Sequence, residues 1–395
     1  LLSLQTRDLV QVKKKIAIVT CHWGHDNDDR TSAIRLIAGA ASRDFTIAIV
    51  HLKENVTDYK IYQDSIYQIH EIPVIDRYPL RSDLIKVALS SYDNGQRIPK
   101  VAAEAIRTYQ GQTLFMGDAL AKIAPDIIIL GGLEQPYNLS ELDLYTQSGD
   151  TSNPNVQIIT IPFLNQLKTE LSEEQLALLN LSEKIVTTSP GEKKLFSSIF
   201  PNKVTSIHMV FNINRHAAKN MLFGVRYFDK YVLLLRSFPP ETQRFERSLT
   251  HEVLRTAIAP LSVAEVDNEY WRISDDQNTL KLPVSASRVN LWRLMAHAEL
   301  TIDLRPPRPL GREAIESMLL GTPVIAHQDS IAYEHIKAAN GGLWYENYEE
   351  LIRVIRAALD EDLHSQLKKS ALEYANYHHG DSEKFIKAVN ALLVQ

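Results

Sequence analysis

The feature that most constrains this chain is a repeated alternation. Short, almost continuous runs of Val, Ile and Leu are separated by longer segments with helical spacing. KIAIVT (15–20), FTIAIVHL (45–52), DIIIL (126–130), VQIITI (156–161), KIVTT (184–188) and KVTSIHMV (203–210) mark strands in the first half. KYVLLL (230–235), LSVAEV (261–266), LTIDL (300–304), TPVIA (322–326) and GGLWY (341–345) continue the series. A strand that is apolar at nearly every position is covered on both faces, as parallel strands flanked by helices are. Helices are predicted between them, over 30–42, 191–200, 285–299 and 311–321 among others. Strand–helix–strand order predicts an α/β fold with open parallel sheets. About eleven strands exceed what one doubly wound sheet holds comfortably, and 395 residues suit two or three domains at roughly 150 each.

Two Rossmann-like, doubly wound domains facing across a cleft are therefore expected. The weakest periodicity, at 211–228, is the expected linker and gives domains 1–214 and 215–395. The last stretch, from 348 onward, is helical and rich in Leu and Ala. Gly380 is expected to stop one helix, and Asp381-Ser382 to cap another. Residues 376–395 are expected to cross back onto the first domain.

Composition narrows the function classes. Hydrophobic residues make up 45% and charged residues 23%, ordinary for a globular protein. The net charge of -5 argues against binding nucleic acid through bulk charge, yet leaves room for a local basic site for a small anion. Cys21 is the single cysteine, so no internal disulfide and no cysteine-based zinc site can form. No run of about 18 apolar residues suggests a membrane span. The N-terminal LLSLQTRDLVQVKKK lacks the order of a signal peptide, so a cytoplasmic protein is expected, with peripheral membrane contact left open.

Ligands of doubly wound sheets bind beyond the carboxyl ends of strands, near helix N-termini. One such loop carries most of the information. Residues 303–324 read DLRPPRPLGREAIESMLLGTPV. Arg305, Arg308 and Arg312 surround Gly311, where a helix opens. Unpaired N–H groups and the positive end of the helix dipole lie there, and guanidinium forks suit phosphate oxygens. The competing view is a solvated arginine-rich loop with Arg312 and Glu316 as a surface ion pair. A carboxylate one turn into the helix, at Glu316, is placed to accept bonds from ribose hydroxyls.

Glu316-Ser317-Met318 followed by Gly321-Thr322-Pro323-Val324 resembles the signature of the family 4 retaining nucleotide-sugar glycosyltransferases, which have the GT-B fold. Segments 182–214, 291–306 and 335–359 resemble further parts of that family. The resemblance implies that Glu316 holds the donor ribose. It places the diphosphate near Leu310, Gly311 and Arg312, and draws in Gly24 from the loop after the first strand. The base pocket falls near 282–287, with Leu282 and Val284 as contacts. Arg236, after KYVLLL, matches the family's basic residue. No metal and no other cofactor is implied.

The sequence also departs from that family. Arg308 stands where the first Glu of Glu-x7-Glu is expected, which puts donor recognition and catalysis in question, and Arg308 is the candidate contact to the diphosphate or to an acidic donor sugar. The Lys expected some five residues after Arg236 is missing, with Arg244 or Arg247 able to reach in. The Asp26-Asn27-Asp28-Asp29 run lacks the spacing of a calcium loop and reads as helix capping. His22 and His25 are loop histidines, and His378-His379 reads as a helix end complementing the dipole.

The implied activity is transfer of a sugar from a nucleotide diphosphate donor to a hydroxyl acceptor, with retained configuration. The acceptor is expected to be a glycan, a glycolipid or a small glycoside, and the sequence does not single one out. No paired carboxylates mark a glycosidase. Two rival readings of the same residues are a glycosyltransferase-like accessory subunit without turnover and a nucleotide-sugar epimerase.

Overall fold

The structure is a computed structural model. It describes residues 13–21, 23, 29–54, 59–74, 116–117, 119–133, 142, 156–165, 170–220, 230–235, 254, 257–259, 261–266, 270–274, 279–283, 288–305 and 308–394. The chain divides into two compact units. One comprises Leu1–Pro162, Leu171–Ile185 and Val389–Gln395, the other Phe163–Glu170 and Val186–Ala388.

An eight-stranded sheet runs in the order β3-β4-β2-β1-β5-β6-β7-β8. Its strands are β1 (Lys15–Thr20), β2 (Thr46–Glu54), β3 (Lys60–Asp64), β4 (Tyr67–Val74), β5 (Ile127–Gly131), β6 (Gln157–Ile161), β7 (Lys184–Thr187) and β8 (Val204–Ser206). β1 pairs in parallel with β2 on one side and β5 on the other. Ile16, Ala17, Ile18 and Val19 are no more than 1% exposed, so both faces of β1 are covered. That is why its sequence is apolar without interruption. Helix α1 (Asp29–Ala41) follows β1, and α2 (Glu173–Leu181) opens on Ser172 with a full capping box to Gln175.

The second sheet has the order β12-β11-β10-β9-β13-β14-β15. Its strands are β9 (Tyr231–Leu235), β10 (Ser262–Val266), β11 (Tyr270–Ser274), β12 (Thr279–Pro283), β13 (Leu300–Asp303), β14 (Val324–His327) and β15 (Gly342–Tyr345). β9 shows how two-sided covering arises. Val232 and Leu234 face a core with Leu254, Ile258, Ile302, Ile325, Leu351 and Ile355. Tyr231, Leu233 and Leu235 face the opposite core, with Leu291, Leu294 and Met295.

The eleven expected strands are all present among the described residues. Two hairpins were not expected. β3 pairs antiparallel with β4 around Ser65-Ile66, and β11 with β12. β3 is largely exposed, so its side chains do not form the continuous apolar run that marks the parallel strands.

The helices that serve the second unit are α3 (Pro190–Ile199), α4 (Arg215–Ala218), α5 (Arg288–His297), α6 (Arg312–Leu319), α7 (Ile331–Ala339), α8 (Tyr348–Ala358) and α9 (Glu361–His379). α3 begins at Ser189, whose hydroxyl accepts from the Glu192 amide. The Glu192 carboxylate, 1% exposed, accepts from the Leu164 and Thr188 amides and the Thr188 hydroxyl. Burial pushes its carboxyl up, against those hydrogen bonds.

α9 ends at Gly380, and Asp381 accepts from the Glu383 and Lys384 amides at the start of α10 (Ser382–Val394). The stop and the cap thus fall where the sequence placed them. Residues from Val389 onward belong to the first unit, where Leu392 accepts from Lys184 Nζ at 2.9 Å and Asn390 bonds Asp44. No helix among the described residues is long and apolar enough to cross a membrane.

Candidate functional site

In the second sheet the chain leaves β9 in one direction to β10 and resumes on the other side at β13. Such a reversal is where an open α/β sheet leaves a crevice beyond its strand ends. Leu235, the last residue of β9, pairs in register with Asp303, the last of β13. The arginine-rich loop departs from this point.

Its far end is built tightly. Pro309–Gly311 forms a single 3-10 turn in which Leu310 has φ 68° and Gly311 φ 57°. A Cβ on Gly311 would lie 2.9 Å from the backbone N and Cα of Ala332 in α7. Glycine is therefore required twice, for its conformation and for the close approach. Leu310 has no such freedom, and its left-handed backbone costs about 1–3 kcal/mol. The α6 helix starts directly after, and Gly311 at its N-cap offers no side chain to the helix amides.

The rest of the motif is structural. Ser317 Oγ donates to Thr301 Oγ1 at 2.8 Å, joining α6 to β13. Gly321 turns the chain at φ 84°. Thr322 Oγ1 donates to the Met295 carbonyl at 2.6 Å, joining the turn to α5. Both hydroxyls are buried, so each must have a partner.

The charged side chains form one chain of ion pairs. Arg305 forks onto Asp303 at 2.8 and 2.7 Å and reaches Glu313 at 3.1 Å. Arg288, the first residue of α5, donates Nη1 to Glu313 at 2.9 Å and Nε to Glu316 at 3.2 Å. Its Nη2 also bonds the second oxygen of Glu316. Arg312 Nε donates to Glu316 at 3.0 Å and its guanidinium lies 5.6 Å from the Phe211 ring centre. Three guanidiniums thus balance three carboxylates. Burial alone would raise the Glu313 carboxyl, but Arg305 and Arg288 outweigh it and hold it well below the usual range. Burial likewise opposes the Arg305 charge, and Asp303 with Glu313 overrides it.

The sequence-predicted residues fall as follows. Leu310, Gly311, Arg312 and Glu316 come together at the start of α6, all in the second unit. Glu316 is 0% exposed. Arg312 sits on Glu316, as the i, i+4 alternative foresaw, but this pair is buried rather than solvated. Arg308 precedes the 3-10 turn, is half-buried, and forms no hydrogen bond or ion pair among the described residues. Leu282 lies in β12. Gly24, Arg236, Arg244, Arg247, Val284, His22 and His25 lie outside the described residues.

Arg288 was missed. Its signal was available: a cation in the first turn of a helix opposes the helix dipole, so some partner must hold it there. His379 also requires correction. It is 0% exposed, and burial drives its imidazole well below the ordinary value, so it stays neutral and does not complement the dipole. Its Nδ1 bonds the Met209 carbonyl at 2.7 Å.

No family model matches the chain, and no curated protein matches it. Solved structures do. It is similar to sucrose-phosphate synthase from Thermosynechococcus elongatus, at TM-score 0.60 and 15% identity over 96% of this chain and 98% of that one. It is similar to an E. coli structure titled trehalose-6-phosphate bound with UDP-2-fluoro glucose, at TM-score 0.62 and 10% identity over 97% and 99%. Anabaena HepE in complex with UDP and glucose matches at TM-score 0.57 and 13% identity over 96% and 99%. Identities this low speak for the backbone alone: the chain has the α/β GT-B fold of nucleotide-sugar glycosyltransferases.

Proposed function

We propose that the chain is a retaining glycosyltransferase that moves a sugar from a nucleotide diphosphate donor to a hydroxyl acceptor. The observation that carries this is the start of α6, opened beside a sheet reversal by left-handed Gly311, which brings no capping side chain, with Arg308 free of a protein partner among the described residues. The fold shared with structures solved with UDP or a UDP-sugar supports it.

As the glycosidic C–O bond breaks, negative charge grows on the leaving phosphate. The amides at the start of α6 and the Arg308 guanidinium are the groups suited to bind that charge more strongly in the transition state than in the ground state. Arg236 and Arg244 are proposed as further donors to the phosphates. Leu282 and Val284 are proposed to flank the base, while Glu316, the residue expected at the ribose, is held by Arg288 and Arg312. The acceptor is proposed to be a glycan, a glycolipid or a small glycoside. No metal is required by this scheme, because cationic side chains and amides neutralise the diphosphate.

The test is a panel of nucleotide sugars with and without candidate acceptors, read as release of nucleoside diphosphate. Turnover in the wild-type chain and a loss of about 10²–10³-fold in Arg308→Ala are expected. One observation favours a second role, a nucleotide-binding accessory subunit: among the described residues, the carboxylates Asp303, Glu313 and Glu316 beside the loop are already neutralised by arginine. Saturable nucleotide binding with no turnover on any acceptor would establish that role instead.

A further inference from the structure

Glu316 is the carboxylate expected to grip a ribose, yet its coordination is already nearly full. A carboxylate offers about four lone-pair sites. Oε1 accepts from Arg288 Nε at 3.2 Å and from Arg312 Nε at 3.0 Å, and Oε2 accepts from Arg288 Nη2. One site is left, whereas two ribose hydroxyls need two. The side chain of Glu316 is 0% exposed, while those of Arg288 and Arg312 are 30% and 17% exposed. A ligand reaching this point meets guanidinium first and carboxylate not at all.

Arg288 and Arg312 do not contribute equally. Arg312 gives Glu316 one bond from the same helix, a local i, i+4 contact. Arg288 comes from α5, forks over both oxygens of Glu316 and ties down Glu313 as well. It does so from a helix position its own dipole disfavours. Removing Arg312 would leave both oxygens covered. Removing Arg288 would expose Oε2 completely and leave Oε1 with a single donor.

We infer that Arg288 is a specificity-determining residue that keeps Glu316 from reading the ribose, so that the wild-type chain binds nucleoside diphosphates with little regard for their 2′ and 3′ hydroxyls. This rests on the proposed nucleotide site at the start of α6. The consequence is a gain of discrimination on substitution, the opposite of what loss of a ligand contact or of a structural strut would give.

The experiment measures dissociation constants by calorimetry for UDP, GDP and ADP, each beside its 2′,3′-dideoxy form. Wild type, Arg288→Met and Arg288→Lys are compared, the last keeping the charge while lacking the fork. Melting curves establish that each variant is folded before it is titrated. Expected is a ribo/dideoxy ratio below about threefold in wild type, rising to tenfold or more in a folded variant. A wild-type ratio of tenfold or more, or a ratio unchanged in both folded variants, overturns the role of Arg288 and leaves the nucleotide site standing. Binding of no nucleotide by any of the three proteins overturns the nucleotide site itself, and this inference with it.

Discussion

Gly311 carries two independent constraints at a single atom position. It has a φ of 57° and a neighbour's backbone stands 2.9 Å from where its Cβ would sit. Gly311→Ala is expected to destabilise the protein by about 1–3 kcal/mol from backbone strain, with a further cost for displacing Ala332. Urea denaturation monitored by circular dichroism measures it, and a change below about 0.5 kcal/mol would contradict the geometry. Arg305 is the complementary case. Its side chain is 9% exposed and shared between Asp303 and Glu313. Truncation to Ala takes the fork from Asp303 and leaves buried Glu313 with Arg288 alone, and breaking a buried pair in this way costs about 3–5 kcal/mol. The same denaturation series should rank Arg305→Ala well below Arg308→Ala, whose side chain has no partner among the described residues to strand. Equal losses would mean that Arg305 is not structural.

At the scale of elements, α7 and the end of α9 bury a cluster of histidines against the strand-end segment at His208. The ring centres of His208 and His378 are 4.4 Å apart, those of His335 and His379 5.2 Å, and those of His208 and His379 5.6 Å. No three His, Cys, Asp or Glu side chains among the described residues are arranged to hold a metal ion. Burial, and then each other's charge, lowers these imidazoles: His208 to about 4 and His335 to about 3, with His379 also well below 6.5. Lys193 of α3 and Lys384 of α10 push the same way on His208, while the Leu310 carbonyl opposes the shift at His335 and the Met209 carbonyl at His379. The sign follows from proton counting. Between pH 6.5 and about 3 the unfolded chain binds protons that the folded chain refuses, so stability falls as pH falls. A steep acid limb is expected below pH 6.5 in denaturant midpoints. His335→Phe should flatten it, since Phe has no proton to bind. An unchanged slope in that variant would show that other groups govern the acid limb.

For the molecule as a whole, the C-terminus is joined to the first unit rather than to the helices that precede it in sequence. Val389, Leu392 and Leu393 are 0%, 6% and 1% exposed. Each represents about 1.5–3 kcal/mol of burial. Deleting Val389–Gln395 is expected to lower protection of the β1 and β5 amides in hydrogen exchange, while β13 and β14 keep theirs. Undiminished protection of β1 would contradict the assignment of this segment to the first unit. The position of the last helix was legible in the sequence because a Gly stop and an Asp cap are local signals. Its return to the first unit was expected too, but no local signal specifies it, because it depends on residues far away in sequence.

The sequence by itself determined what local chemistry can encode. Uninterrupted Val and Ile runs such as IIIL (127–130) marked strands with both faces covered, and GREAIES after three prolines marked a helix start. It likewise brought Leu310, Gly311, Arg312 and Glu316 to one place, since a loop and one helical turn separate them by only a few residues. The half-exposed β3–β4 hairpin escaped, because its side chains do not form a continuous apolar run. What only the tertiary structure decided is who neutralises whom. Arg288 reaches Glu316 across 28 positions of sequence, and His208 meets His378 across a still longer span. No spacing rule connects such residues. They meet because packed helices bring them together, and burial then demands that every charge find a partner and every imidazole stay neutral.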